Sequence, residues 1–251
     1  NGFDGDRLMP WDFSFWSERY QEAEYSLNAE ELKPYFRLEN CIDAVFSLAN
    51  RLYGLEFVEL DNVPVYHEDV KVYEVKDADG RHMALFYADF FPRASKRGGA
   101  WMTEFRGQSI KNGVEYRPFI STVMNFTKPT ADTPSLITHD EFTTFLHEFG
   151  HALHGILAEG RYESLTGTNV PRDFVELPSQ IMENWAFQPE VLAMYARHYE
   201  TGEVIPAELV AKIEAAGNFN QGFMTTELAA AAILDMKWHE LDELPCSGEH
   251  K

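Results

Sequence analysis

The sequence predicts a mostly α-helical protein of the α+β class, in which a small β-sheet lies between two helical regions. Apolar residues recur at helical spacing before residue 54, alternate with polar residues between residues 55 and 128, and return to helical spacing after residue 138. We therefore expect a single partial domain over residues 1–251. Its parts are helices in 1–54, a small sheet in 55–128 and a helical core in 138–245.

Two helices are expected before the sheet. Residues 11–27 carry apolar side chains at helical spacing, and residues 30–53 repeat the pattern. Gly54 follows at once and is typical of the residue that ends a helix, because glycine adopts a left-handed backbone without steric cost.

The sheet is expected to begin with a hairpin. Residues 70–75 alternate apolar and polar side chains, residues 77–80 read Asp-Ala-Asp-Gly and are typical of a turn, and residues 83–91 form the returning strand. Residues 119–126 predict a further strand, which ends before Pro129. The sheet is therefore expected to be antiparallel or mixed.

The helical core begins at a sharp N-terminal signal. Thr138 and Glu141 have the spacing of a capping box, so a helix is expected to start there, and Gly160 is expected to end it. Four more helices follow the same periodicity, at about 171–187, 190–200, 206–216 and 219–241.

Composition excludes several classes of function. The 251 residues carry a formal net charge of −20, and such a surface repels nucleic acid. The sequence has no run of about 18 apolar residues, so we expect no membrane span. Cys41 and Cys246 are too few for a disulfide framework, which fits a reducing compartment, and we expect a monomer in the cytoplasm. The chain begins at Asn1 without Met, which fits an excised piece or a lost leader.

The residues that carry chemistry lie on the helix that begins near Thr138. One face of this helix is apolar, and the other carries His147, His151 and His154, spaced four and then three residues apart. Side chains four residues apart lie one above the other, so His147 and His151 can ligate one tetrahedral cation. Glu148 can reach a water in the cation's open position, which is the metallopeptidase use of the pattern H-E-x-x-H.

A third ligand must come from outside this helix. The sequence after His151 lacks the third histidine of the metzincin pattern H-E-x-x-H-x-x-G-x-x-H. Glu176, 25 residues after His151, is the candidate we favour, and it would place the metal between two helices. Asp173, Gln180 and Glu183 lie on nearby turns. One of them is expected to accept a hydrogen bond from the second ring N–H of a ligating imidazole. The alternative for each residue is an exposed position without this role.

These stretches resemble the thimet oligopeptidase family of zinc peptidases, and most of all its bacterial peptidyl-dipeptidase branch, with oligopeptidase A as a near relative. The likeness rests on residues 147–154, His-Glu-Phe-Gly-His-Ala-Leu-His, and on Gly-Thr-Asn at 167–169 followed by residues 173–185. Shorter stretches support it at residues 1–6, 64–67, 84–87 and 234–239.

The resemblance implies a helical, zincin-like catalytic core. It implies one Zn²⁺ per chain, held by His147, His151 and Glu176, with Glu148 as the general base, and short peptides as substrates. Family members are much longer and carry a downstream Gly/Tyr-rich segment whose tyrosines and histidine stabilise the tetrahedral intermediate. This sequence has no such segment, so we expect the central catalytic portion of such an enzyme, and whether that portion is active alone stays open.

Three further segments are candidates for contact with the substrate. The strand that contains Asn125 offers an edge to which a peptide can add, or is an ordinary core strand. Gly167 and Thr168 line the substrate channel, or serve only as a loop before the helix at Pro171. The loop at 93–99, rich in Lys, Arg and Gly, holds a substrate carboxylate or is simply solvated.

Three functional hypotheses remain at this point. The first is a zinc peptidase that releases C-terminal dipeptides, with an endo-acting oligopeptidase of the same family as its variant. The second is a non-catalytic zinc-binding fragment, and the third is a structural helical domain without a metal.

Overall fold

The computed structural model describes residue 5, residues 7–25 and residues 29–242. The predicted ends at 27 and 245, Cys246 and most of the 1–6 stretch lie outside the described residues. The chain forms two compact units. We call Asn28–Val210 the sheet unit, and Asn1–Leu27 with Ala211–Lys251 the terminal unit. The expectation of a single partial domain stays a prediction.

The predicted mostly α, α+β class is confirmed. Helix α1 spans Phe13–Tyr25 and belongs to the terminal unit, while α2 (Ala29–Leu32) and α3 (Leu38–Tyr53) belong to the sheet unit. The continuous helix expected over 30–53 is wrong. Pro34 lies in a 3₁₀ turn after α2, and Phe36 leaves the helical conformation with φ −112° and ψ 62°. Gly54 ends α3 as predicted, with φ 69° and its N–H on the carbonyl of Asn50.

The sheet unit contains a mixed five-stranded sheet and a separate hairpin. The strands are β1 (Glu56–Glu59), β2 (Lys71–Lys76), β3 (His82–Asp89), β4 (Trp101–Arg106), β5 (Ser109–Lys111), β6 (Val114–Tyr116) and β7 (Phe119–Val123). The sheet order is β1-β2-β3-β7-β4, and β5 pairs with β6. Only β3 and β7 run parallel among these pairs. The predicted β2–β3 hairpin and the mixed sheet are confirmed.

One edge strand of the described sheet is β4, which the sequence did not predict. Strand β7 pairs with β3 on one side and with β4 on the other. The expectation that residues 121–126 offer a free edge is therefore wrong, and the alternative of a core strand holds. Ser121 and Thr122 are fully buried, as an internal strand requires.

The helical core follows the prediction with shorter elements. The helices are α4 (His139–Ile156), α5 (Arg172–Val175), α6 (Leu177–Glu183), α7 (Pro189–Tyr195), α8 (Ala207–Ala216) and α9 (Gln221–His239). The capping box is confirmed, since Glu141 N–H donates to Thr138 Oγ1 at 3.1 Å and Thr138 N–H donates to Glu141 Oε2 at 2.7 Å. Helix α4 ends at Ile156, four residues before Gly160. No described helix is both long and apolar enough to cross a bilayer.

Two of the predicted helices are shorter in the structure. The helix expected over 171–187 divides at Glu176 into α5 and α6, followed by a 3₁₀ turn at Asn184–Phe187. The helix expected over 190–200 ends at Tyr195, because Arg197 turns to form a β-bridge with Val204.

The apolar face of α4 packs on the sheet. Phe142, Phe145 and Phe149 are fully buried. The ring of Phe149 contacts that of Phe86 on β3, with centroids 5.8 Å apart. At about 25 cal/mol per Å² of buried apolar surface, each such ring contributes several kcal/mol before entropy is subtracted. The opposite face of α4 is thereby turned away from the sheet.

Arg117 closes the C-terminal end of α4. Its guanidinium donates to the carbonyls of Ile156 at 2.5 Å and Ala158 at 3.2 Å, and to Met83 of β3 at 2.7 Å. The side chain is 7% exposed and also pairs with Glu115 at 2.8 Å. Carbonyls at a helix end have no intrahelical partner, so a buried arginine satisfies them and ties α4 to the sheet.

Replacing this arginine should therefore destabilise the sheet unit. We expect Arg117→Met to lower the free energy of unfolding by about 3 kcal/mol, because three buried carbonyls lose their donor. Urea unfolding followed by circular dichroism measures the change. The control Arg51→Met removes an exposed arginine from α3 and should change stability by less than about 0.5 kcal/mol. Equal effects of the two substitutions would contradict this role for Arg117.

Candidate metal centre

Two histidines and one glutamate converge on a single point. His147 and His151 lie one turn apart on α4, with ring centroids 4.9 Å apart. Glu176 lies between α5 and α6, and its Oε2 is 3.3 Å from His147 Nε2 and 3.2 Å from His151 Nε2. One ligand atom from each residue lies within 4.8 Å of the other two. The structure thus brings together the three residues proposed from sequence as ligands.

The convergence depends on a close approach of two helix backbones. A Cβ placed on Gly150 would lie 2.6 Å from the carbonyl oxygen of Pro178 and 2.6 Å from the Cα of Ser179. Real Cβ atoms do not approach backbone so closely, so only glycine fits at this point of α4. The first turn of α6 can therefore rest against α4, beside the two histidines.

The first turn of α6 orients the side chain of Glu176. The break between α5 and α6 puts Pro178 in the first turn of α6, where a missing N–H costs nothing. Ser179 is fully buried, and its hydroxyl donates to the Glu176 carbonyl and to Glu176 Oε2, both at 2.9 Å. The carboxylate is therefore oriented towards the histidines.

One of the three candidates for orienting an imidazole does contact one. Glu183 Oε1 lies 2.6 Å from His147 Nδ1. A proton on Nδ1 leaves the Nε2 lone pair free for a metal, which is the arrangement that a carboxylate partner favours. Asp173 and Gln180 are exposed, and within the described ranges neither side chain is hydrogen-bonded to His147 or His151.

The donor set fits a catalytic zinc ion. Two imidazole nitrogens and one carboxylate oxygen are the ligands of zinc sites that keep a fourth position open. Burial lowers the pKa of His151, although the charge of Glu176 opposes the shift. Because a neutral imidazole is the form that binds a metal, this environment favours ligation.

Glu148 lies beside the two histidines and is only 8% exposed. Burial raises the pKa of its carboxyl group; the charge of His147 opposes this shift, and the charge of Glu176 adds to it. The backbone of Met102, on the edge strand β4, opposes the rise in this pKa and lines the same cavity as Glu148. The base predicted from sequence is thus fixed between the histidines and the sheet edge.

A cleft opens at this point and continues along β4. A cavity of about 300 Å³ is lined by Ala100, Trp101, Met102, His147, Glu148, His151, Thr168, Val175 and Glu176. A second cavity of about 560 Å³ is lined by residues 102–107, 163–164 and 168–169. Because both cavities share Met102 and Thr168, they adjoin along the free side of β4.

The predicted substrate residues lie at different distances from this cleft. Thr168 lines it and, together with Glu104 of β4, also lines the larger adjoining cavity. Gly167 has φ +58° and lies against the Glu104 carboxylate, so it positions Thr168. Asn125 instead donates to the carbonyls of Arg97 at 2.9 Å and Gly99 at 2.8 Å. Its contact with substrate stays a prediction.

Known proteins resemble this chain over nearly its whole length. The sequence profile of peptidase family M3 matches residues 1–247. The chain belongs to peptidase family M3. It is 49% identical to a dipeptidyl carboxypeptidase of Salmonella typhimurium over 248 residues. The aligned segment covers 97% of this chain and 36% of that protein. The Escherichia coli protein of the same name is 49% identical over 240 residues, or 95% of this chain and 35% of that protein.

A second group of family M3 relatives is more distant. Oligopeptidase A of Escherichia coli is 39% identical over 239 residues, which is 94% of this chain and 35% of that protein. The chain spans about a third of the length of these curated relatives.

Sequence reasoning missed several residues on which this family M3 site depends. Gly150 lies inside the H-E-x-x-H pattern, but its contact with the α6 backbone shows only in the structure. Ser179 carried no signal beyond its place after Pro178. Met102 and Glu104 lie on a strand that was not predicted, so their positions beside Glu148 and Thr168 could not be predicted either.

A methyl group at Gly150 should disrupt the metal centre. We expect Gly150→Ala to force α6 away from α4, and with it Glu176 from the histidines. Overpacking of this kind costs about 1–3 kcal/mol of stability, and the zinc affinity should fall with it. Competition with a chromophoric chelator measures the affinity, and urea unfolding measures the stability.

The matched control is Gly222→Ala on α9, where the added Cβ meets no described atom within 4 Å. We expect unchanged zinc affinity and a stability gain of up to about 1 kcal/mol, because alanine favours a helix over glycine. If Gly150→Ala binds zinc as tightly as the parent chain, the backbone contact does not set the site.

Proposed function

We propose that this chain carries the catalytic core of a zinc metallopeptidase that hydrolyses short peptides and releases C-terminal dipeptides. The observation that carries the proposal is the convergence of His147, His151 and Glu176 on one point, with Glu148 beside it. Membership of family M3 supports it. Zinc is the proposed ion, one per chain.

The residues of the site have separate roles in the proposed hydrolysis. When bound, zinc polarises the scissile carbonyl and lowers the pKa of water to about 7. Glu148 takes the proton from the attacking water and later delivers it to the leaving nitrogen, so that one water is consumed for each peptide bond. Met102 lies beside Glu148 in the cleft, and Glu183, which accepts from His147 Nδ1, would leave the His147 Nε2 lone pair available to the ion.

The edge strand β4 is the proposed platform for substrate. Within the described sheet it pairs only with β7, so its outer side carries unpaired backbone groups beside the cleft. An extended peptide can add to such an edge through main-chain hydrogen bonds, which are independent of side-chain identity. Thr168 faces the same cleft from the opposite side.

Release of dipeptides is favoured over internal cleavage by the relatives. Those 49% identical to this chain are named dipeptidyl carboxypeptidases, whereas oligopeptidase A is 39% identical. An endo-acting oligopeptidase is the alternative within the family. A non-catalytic zinc-binding fragment is the second candidate.

Charge and cysteine content also bear on partners and location. We propose a monomer of the cytoplasm that binds no nucleic acid and no membrane. The formal net charge of −20 and the presence of only two cysteines support this.

The central test measures metal and hydrolysis separately. We expect the purified chain to bind one zinc per molecule by elemental analysis, and to cleave an N-blocked pentapeptide with release of its last two residues, detected by mass spectrometry. Glu148→Gln should keep the zinc and slow hydrolysis by about 100- to 10,000-fold, because it removes the base without altering shape. A chelator should abolish hydrolysis, and added zinc should restore it.

Each outcome of this test decides between the hypotheses. Absence of stoichiometric zinc would exclude the peptidase and the zinc-binding fragment alike. Zinc without hydrolysis favours the non-catalytic fragment, and internal cleavage favours the endo-acting alternative. Hydrolysis that survives Glu148→Gln would contradict the role of Glu148 as base.

The orienting role of Glu183 is tested by a conservative change. We expect Glu183→Gln to weaken zinc binding by about 10- to 100-fold, because second-sphere carboxylates orient a ligating imidazole and raise its basicity. Competition with a chromophoric chelator measures the loss. Asp173→Asn removes the same charge from an exposed neighbour and should leave the affinity unchanged. Equal losses in the two variants would mean that charge alone, not the contact with His147, is responsible.

A further inference from the structure

The loop between β3 and β4 carries three cationic side chains, and two of them already bind acceptors within the protein. Arg93 pairs with both carboxylate oxygens of Asp89 at 2.9 Å. Lys96, only 1% exposed, donates to Asp89 Oδ1 at 3.0 Å and to the carbonyls of Asp89 and Phe91 at 3.0 and 2.8 Å. An ammonium group has three donors, so Lys96 has none left for a ligand.

The third cation, Arg97, is available. Its side chain is exposed, and its guanidinium carbon lies 5.2 Å from the centroid of the Trp101 ring. Within the described ranges this guanidinium makes no ion pair and no side-chain hydrogen bond. Trp101 lines the metal cleft together with Ala100 and Met102. The guanidinium of Arg97 therefore lies against a residue that lines the cleft.

The backbone that carries this cation is fixed on both sides. Asn125 donates to the carbonyl of Arg97 at 2.9 Å and to that of Gly99 at 2.8 Å. The buried Lys96 anchors the residue before it. Binding of an anion therefore needs only the side chain of Arg97 to be ordered, which lowers the entropic cost of recognition.

The direction of β4 decides which end of a peptide meets Arg97. Antiparallel addition is the more stable pairing, and it places the C-terminal end of the peptide at the N-terminal end of β4. The bond to be cleaved is expected in the cavity that Met102 lines together with Glu148. Two residues of extended peptide span about 7 Å, which carries the chain past Ala100 towards Arg97. The larger cavity, on the side of residues 103–107, then receives the N-terminal part of the peptide.

We infer that Arg97 is the binding site for the C-terminal carboxylate of a peptide whose last two residues lie beyond the scissile bond. The inference rests on the proposed peptidase function and deepens it. A guanidinium matches a carboxylate with two parallel hydrogen bonds, which a solvated lysine does not. Arg97 has no ion-pair partner among the described residues, so on a protein with net charge −20 it offers a carboxylate a positive charge next to a residue of the cleft.

The experiment measures binding rather than turnover. The zinc-loaded Glu148→Gln chain is titrated with an N-acetylated tetrapeptide that has a free C-terminal carboxylate, and with its C-terminal amide. Calorimetry gives both dissociation constants. The same pair of peptides is then titrated against chains that also carry Arg97→Gln, Arg97→Lys or Arg51→Gln, after the zinc content of each has been measured.

We expect the free carboxylate to bind about 10- to 100-fold more tightly than the amide, as for a hydrogen-bonded charge pair. Arg97→Gln should abolish that preference, Arg97→Lys should retain part of it, and the exposed control Arg51→Gln should leave it intact. A preference that persists in Arg97→Gln overturns the inference while leaving the peptidase proposal standing. If a zinc-loaded chain binds neither peptide, the proposed function itself fails, and the inference falls with it.

Discussion

The contact between Gly150 of α4 and the Pro178–Ser179 backbone of α6 is the constraint on which the metal centre depends. Imidazoles on α4 and a carboxylate at the start of α6 meet only because these two backbones touch. Backbone contacts of this kind are set by main-chain geometry rather than by flexible side chains, so the ligand atoms are already close before any ion binds. Helix α4 is in turn fixed to the sheet by Phe149 and, at its end, by Arg117.

A buried ionic cluster links the sheet to the cleft. Burial by itself would raise the pKa of Asp89, but hydrogen bonds from Arg93 and Lys96 prevail and lower it, so the carboxylate stays ionised. A paired and fully hydrogen-bonded buried charge is tolerated where an isolated one is not. The cluster holds the loop that leads into β4, and therefore also holds Trp101 and Met102 at the cleft.

The sequence was sufficient for features that rest on local rules, and insufficient for those set by tertiary contacts. The α4 capping box and the histidine spacing follow from helix geometry, so both were predicted. Residues 173, 180 and 183 would share one face of a continuous helix, so the sequence could not choose among them as the partner of a ligating imidazole. The break at Glu176 changes the orientation of the residues that follow, and of these three only Glu183 contacts His147. Strand β4 was missed because its residues face a cleft on one side and lack a clean alternation.

The same distinction applies to cleavage specificity. A two-histidine, one-glutamate centre with a glutamate base serves internal cleavage and dipeptide release equally, because both reactions attack a peptide carbonyl. The choice between them must lie further along the substrate, where a chain end is accepted or a longer chain passes. With Arg97 as the inferred carboxylate site, that point lies at the N-terminal end of β4, in a loop held by Lys96 and Asn125. We therefore expect a change in this loop to alter the mode of cleavage without altering the metal centre.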